Sequence, residues 1–125
     1  PTYIEEMLEE RAKALIEEQA KDAKDLPVLD IKLPPLVTQI TNGLDLIEEG
    51  KKMNHCVGGY IEACLQEESY IFHINDGSDE GATAEIRPNP WRVVQVRGRN
   101  NKKPISYAYE AMEDIISSLK KKDLN

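Results

Sequence analysis

The chain predicts an α+β domain: a three-stranded antiparallel meander, with room for a fourth short strand, packed against helices. Three observations carry this. Apolar residues recur every three to four positions on both sides of the middle of the chain. Between those stretches, after Glu67-Glu68-Ser69, the period changes to two. The links between the alternating runs, Asp76-Gly77-Ser78-Asp79-Glu80-Gly81 and Pro88-Asn89-Pro90, are too short for a parallel crossover, so neighbouring strands run antiparallel.

In chain order, Thr2-Tyr3-Ile4-Glu5 forms a capping box, and Ile4, Leu8, Ala12, Leu15, Ile16 and Ala20 follow at helical spacing. This gives an amphipathic first helix over residues 3–22, within an N-terminal segment 1–26. Residues 27–41 carry Pro27, Pro34 and Pro35, which forbid a helix and favour an extended linker, ending in a short strand over Val37 to Thr41. The main body is then 42–125.

Thr41-Asn42-Gly43 starts a helix with Leu44, Ile47 and Met53 inward, which Gly50 ends or bends. Val57, Tyr60, Ile61, Cys64 and Leu65 form the stripe of the next helix. Tyr70 to Ile74, Ala82 to Arg87 and Trp91 to Arg97 are the strands. Gly98 to Lys103 is a basic loop. Pro104 opens the last helix, with Ile105, Ala108, Met112, Ile115 and Leu119 as its stripe and Lys120, Lys121 and Lys122 at its negative dipole end.

At 125 residues this is one domain with a modest core, and its seven aromatic residues leave that core mainly to Leu, Ile, Val and Ala. No run approaches the roughly 18 apolar residues of a membrane span, and no secretory signal pattern is present. The chain opens at Pro1, which fits either loss of an initiator Met or a piece of a longer protein. Cys56 and Cys64 would lie about 12 Å apart along one helix, at about 1.5 Å of rise per residue, too far for a disulfide. A reduced, cytoplasmic setting is therefore expected.

The net charge of −7 is unevenly placed. Residues 1–85 hold 19 acidic against 7 basic side chains, whereas residues 86–125 hold 4 against 9. Between Glu85 and Glu110 there is no acid, yet Arg87, Arg92, Arg97, Arg99, Lys102 and Lys103 all fall there.

Two constellations could carry function. The first is Asn54-His55-Cys56-Val57-Gly58-Gly59-Tyr60, where a thiol sits beside an imidazole before a helical stripe. Cys56 could be a nucleophile, with His73 or Glu85 better placed than the adjacent His55 to assist it. Equally, Cys56, Tyr60 and Cys64 share one helical face and would pack as core, which leaves His55 the freer group. Zinc is not expected, because His55, Cys56, Cys64 and His73 match no metal spacing, and no cofactor is implied. On the strands, Thr83 and Glu85 share a face, as do Val93, Gln95 and Arg97. If Glu85 stands opposite Gln95, one sheet face carries a polar row; a one-residue slip puts Glu85 opposite Val94 and separates it. An antiparallel sheet commonly leaves such a face in water, and a solvated face is the ordinary reading of this one. The second constellation is the basic stretch itself. Arg87, Trp91, Arg92, Arg97, Arg99, Asn101, Lys102 and Lys103 could grip phosphates while Trp91 stacks on a base, or could meet an acidic protein.

An ordered set of residues resembles a known family. Glu49-Gly50, then Met53-x-His55-Cys56-Val57-x-x-Tyr60, Tyr70-Ile71-Phe72, Thr83-x-Glu85-Ile86 and Gln95-Val96-Arg97-Gly98-x-x-Asn101 look like the PcfJ-like domain, over roughly residues 44–119. That domain is known from conjugative plasmids, phages and related mobile elements. The resemblance implies association with such elements and brings no biochemical activity with it. The chain departs from the family pattern at Gly59 and at His73-Ile74-Asn75.

The leading expectation is an accessory or binding module of a mobile genetic element, contacting nucleic acid through residues 87–103. The alternatives are a small enzyme with a pocket of His55, Cys56, Tyr60, Glu85 and Gln95, and an inhibitor presenting the acidic first helix to a protein partner.

Overall fold

The computed structural model describes residues 3–21, 24–54 and 60–124. Its order is α1 (Tyr3–Lys21), β1 (Val37–Gln39), α2 (Gly43–Met53), α3 (Tyr60–Leu65), β2 (Tyr70–Ile74), β3 (Ala82–Arg87), β4 (Arg92–Gly98), a short 3-10 turn (Arg99–Asn101) and α4 (Ser106–Asp123). The fourth short strand is present, and the sheet runs β1-β2-β3-β4 with every neighbouring pair antiparallel.

Alternation on the strands sorts side chains to two faces. On one, Phe72, Ile74, Ala82, Ala84 and Ile86 meet Ala108, Met112, Ile115 and Leu119 of α4 in a dry apolar layer. On the other, α2 and α3 cover a smaller apolar cluster of Leu46, Cys64 and Ile71 with Leu26 and Ile40. Over β2 and β3 the sheet is thus covered on both sides, which overturns the solvated setting expected for Glu85, while Arg97 at the β4 end of the polar row stays exposed. Glu85 is only 2% exposed and Glu49 only 7%.

Three local details differ from the sequence reading, each for a physical reason. Asn42 caps α2, its side chain accepting from the Leu44 N–H at 2.8 Å. The helix then turns Leu46, Glu49, Gly50 and Met53 inward, leaving Leu44 exposed and running through Gly50 to Met53. The β3–β4 ladder pairs Glu85 with Gln95 but Ile86 with Val93, so a bulge absorbs Val94. Val93 therefore joins Val96 against the apolar core instead of sharing the Gln95 face. Finally, α4 starts at Ser106, after Pro104, where the Ile105 N–H donates to Asp76 Oδ2.

The Pro-rich stretch is docked on the body. Leu26 lies in the α2/α3-side cluster, while Leu29, Ile31 and Leu33 pack on the α4-side core. Gln39 holds the stretch in place, accepting from the Leu29 N–H at 3.0 Å and donating to the Pro27 carbonyl at 2.9 Å. Lys122 Nζ reaches the Asp30 backbone carbonyl at 2.6 Å. By contrast α1 leaves its side chains over residues 3–15 exposed, including Ile4 and Leu8 of the expected inward stripe.

Candidate functional site

The α2/α3 side of the sheet carries two buried carboxylates, each the hub of a polar cluster. β3 and the strand before the bulge set the first. Because β3 alternates, Thr83, Glu85 and Arg87 point to the α2/α3 side while Ala82, Ala84 and Ile86 point to α4. The register then sets Gln95 directly across from Glu85.

Glu85 is saturated. Its Oε2 accepts from Ser69 Oγ at 2.6 Å and from Arg87 Nε at 2.8 Å, and its Oε1 accepts from Gln95 Nε2 at 2.9 Å. The Gln95 amide also donates to the Tyr60 hydroxyl at 2.7 Å, and its Oε1 accepts from Arg97 Nε at 2.9 Å. The chain of bonds runs from a fully buried Ser69 to two guanidinium groups at the surface. The Arg87 proton is held more firmly than usual, first by its hydrogen bond to Glu85 and then by the charge of that carboxylate. Cys64, the free and buried thiol on the inner face of α3, is pushed up to about 11, first by burial and then by the charge of Glu85. At neutral pH it is a protonated packing residue, not a nucleophile.

The second hub is Glu49 of α2. Its Oε2 lies 2.6 Å from His73 Nδ1 and also accepts from the Thr83 hydroxyl. His73 and Thr83 stand opposite each other in the β2–β3 ladder, so one carboxylate from the helix joins both strands. A carboxylate at Nδ1 calls for a proton there, which leaves Nε2 of a neutral ring as an acceptor. Gly81 makes the room: a Cβ there would lie 2.8 Å from His73 Nε2 and 2.5 Å from the Ile74 carbonyl, at a left-handed φ of 72°. His73 opens on a groove of about 410 Å³ shared with Thr38, Lys52 and Asn75.

The basic stretch is partly spent inside the molecule. Trp91 packs against Tyr70, ring centroids 5.6 Å apart, and donates its indole N–H to Asp123 at 2.9 Å. Arg92 Nη1 donates to the carbonyls of Pro88 and Pro90 at 3.0 and 3.1 Å. Arg99 Nη1 pairs with Glu80 at 3.2 Å. Lys102 and Lys103 are exposed, as is Asn101. With Arg99 the two lysines line a groove of about 300 Å³ that also holds Ser78 and Pro104.

Of the residues expected to form a pocket, Tyr60, Glu85 and Gln95 come together, while His55 and Cys56 lie outside the described residues. Glu49 and Ser69 escaped the sequence reading. Glu49 stands three residues after Leu46 and four before Met53, so an acid on the buried stripe of its helix was its signal. Ser69 lies two residues before Ile71 and four before His73, on the same alternation. Among the described residues, no cluster of three His, Cys, Asp or Glu could hold a metal ion. No helix among them is long and apolar enough to cross a membrane.

No solved structure matches this chain. An uncharacterized protein of Listeria innocua serovar 6a, Lin1253/Lin1744, is 31% identical to it over 81 residues, which is 62% of this chain and 18% of that protein. The chain therefore spans less than a fifth of that relative's length. The family model described as PcfJ-like protein matches residues 2–113, taking in α1 and the Pro-rich stretch as well as the sheet. With the match running across nearly the whole chain, this protein belongs to the PcfJ-like protein family.

Proposed function

We propose that this chain is a cytoplasmic accessory module of a mobile genetic element, such as a plasmid or phage, that contacts nucleic acid through the strand-and-loop region 87–103. The observation that carries the reading is the anchoring of Arg87 and Arg97. Each is held through Nε, by Glu85 and by Gln95, and among the described residues neither pair of terminal nitrogens has a partner. A guanidinium fixed this way presents two donors outward in a set direction, the geometry that a phosphate accepts from a fork. Lys102 and Lys103 extend the positive run past the end of β4. The family's occurrence on conjugative and phage elements supplies the setting.

The cations available for contact differ from the full set read in the sequence. Arg92 and Arg99 have partners, and Trp91 is tied to Tyr70 and Asp123. A catalytic reading has less support, because Glu85 already accepts three hydrogen bonds.

Retention on immobilised nucleic acid should fall steeply with salt, since each neutralised phosphate releases counterions. Joint replacement Arg97→Glu with Lys102→Glu, both exposed, should abolish that retention. Unchanged retention in the double variant would overturn the reading.

A further inference from the structure

The polar face of the sheet offers a narrow line of donors. Arg87 and the β3 partner of Arg97, Thr83, stand four residues apart, about 14 Å along the strand at roughly 3.4 Å per residue. Both guanidinium groups lean back toward the Glu85–Gln95 pair through their Nε bonds. Between them lies the Tyr60 hydroxyl, which accepts from Gln95 Nε2 and so keeps its own proton to donate. Beyond Arg97 the line continues into exposed Lys102 and Lys103.

The line is no more than two strands wide, with neighbouring strands about 4.8 Å apart. It is bordered by acids: exposed Glu68, whose charge reaches Arg87, at one end, and Asp79 and Glu80 beside Arg99 at the other. A duplex presents two backbones across a groove about 12 Å wide. Seating one on this line brings the other toward the acidic border. A single strand carries one backbone and can follow the cations alone.

We infer that the row Arg87, Tyr60 and Arg97 is a track for the backbone of single-stranded nucleic acid, bounded by acids that turn duplex away. The inference rests on the nucleic-acid reading above and deepens it. Tyr60 then acts as a neutral phosphate donor, and Glu85 and Gln95 as the residues that aim the row.

The test is fluorescence anisotropy of the full chain with a labelled single-stranded oligonucleotide and with the same sequence as a duplex, across a salt series. The single strand should bind several-fold more tightly. Arg97→Gln and Arg87→Gln should each flatten the log–log salt dependence by about 0.7, the value for one phosphate contact on a single strand. Tyr60→Phe should weaken binding and leave that slope unchanged, because it removes a donor without removing charge. Arg97 is exposed, so its variant keeps the test meaningful even where loss of Arg87 disturbs Glu85. Duplex bound as tightly as single strand overturns this inference and leaves the nucleic-acid reading standing. Absence of binding to both forms overturns the two together.

Discussion

The two faces of this sheet are built from the same strands yet obey different rules. On the α4 side every inward position of β2 and β3 is apolar, and α4 answers with Ala108, Met112 and Ile115. On the α2/α3 side the same strands alternate to His73, Thr83 and Glu85, and the covering helix contributes Glu49. One face is held by non-directional burial, the other by hydrogen bonds that must all be made at once. The apolar face is held by close packing, while the polar face fixes where its side chains point through directional bonds. Directional anchoring is what a recognition surface needs, and it is the polar face that ends in two outward guanidinium groups.

Breaking the apolar face should cost most. Phe72 is fully buried against α4, and Phe72→Ala should destabilise the protein by about 3–5 kcal/mol in urea unfolding. A loss below about 1 kcal/mol would mean that this face does not carry the core. Glu85→Gln should cost less, about 1–3 kcal/mol, because the amide keeps the shape but cannot accept from Ser69, Arg87 and Gln95 together. The smallest effect concerns Cys64, whose thiol is raised from 9.0 to about 11. The unfolded chain loses that proton first, so stability declines as pH climbs from about 9 toward 11 and is untouched at neutral pH. Iodoacetamide at neutral pH should label Cys64 only in denaturant, as read by peptide mass spectrometry. Rapid labelling of the native protein there would show that the α2/α3 face is open to water.

The comparison also explains what the sequence made legible. The stripe of α4 and the alternation of β2 and β3 are repeated signals, and Ala108, Met112, Ile115 and Leu119 are buried where their spacing puts them. The Glu85–Gln95 register was legible as one of two alternatives, and the ladder takes it. Its cost of burial was not legible, because alternation tells which face a residue points to and not whether a helix covers that face. The bulge at Val94 hid because Val93 and Val94 are both apolar, so the pattern has no mark where it slips. Ile105 reads as the start of the α4 stripe but is 48% exposed, since the helix begins one residue later. The Pro-rich stretch reads as a linker because its prolines report only local conformation. Its docking comes from Leu26, Leu29, Ile31 and Leu33, which show no helical or strand period of their own.

Buried Glu85 aims the arginines, and this positioning works against simple electrostatics. Glu85→Gln removes one negative charge beside the basic line, which by charge alone should strengthen nucleic-acid binding. If Glu85 instead positions Arg87 directly and Arg97 through Gln95, the folded variant should bind a single-stranded oligonucleotide more weakly than the parent, at the same salt, despite its more favourable charge. Equal or tighter binding by folded Glu85→Gln would show that Glu85 does not position the arginines.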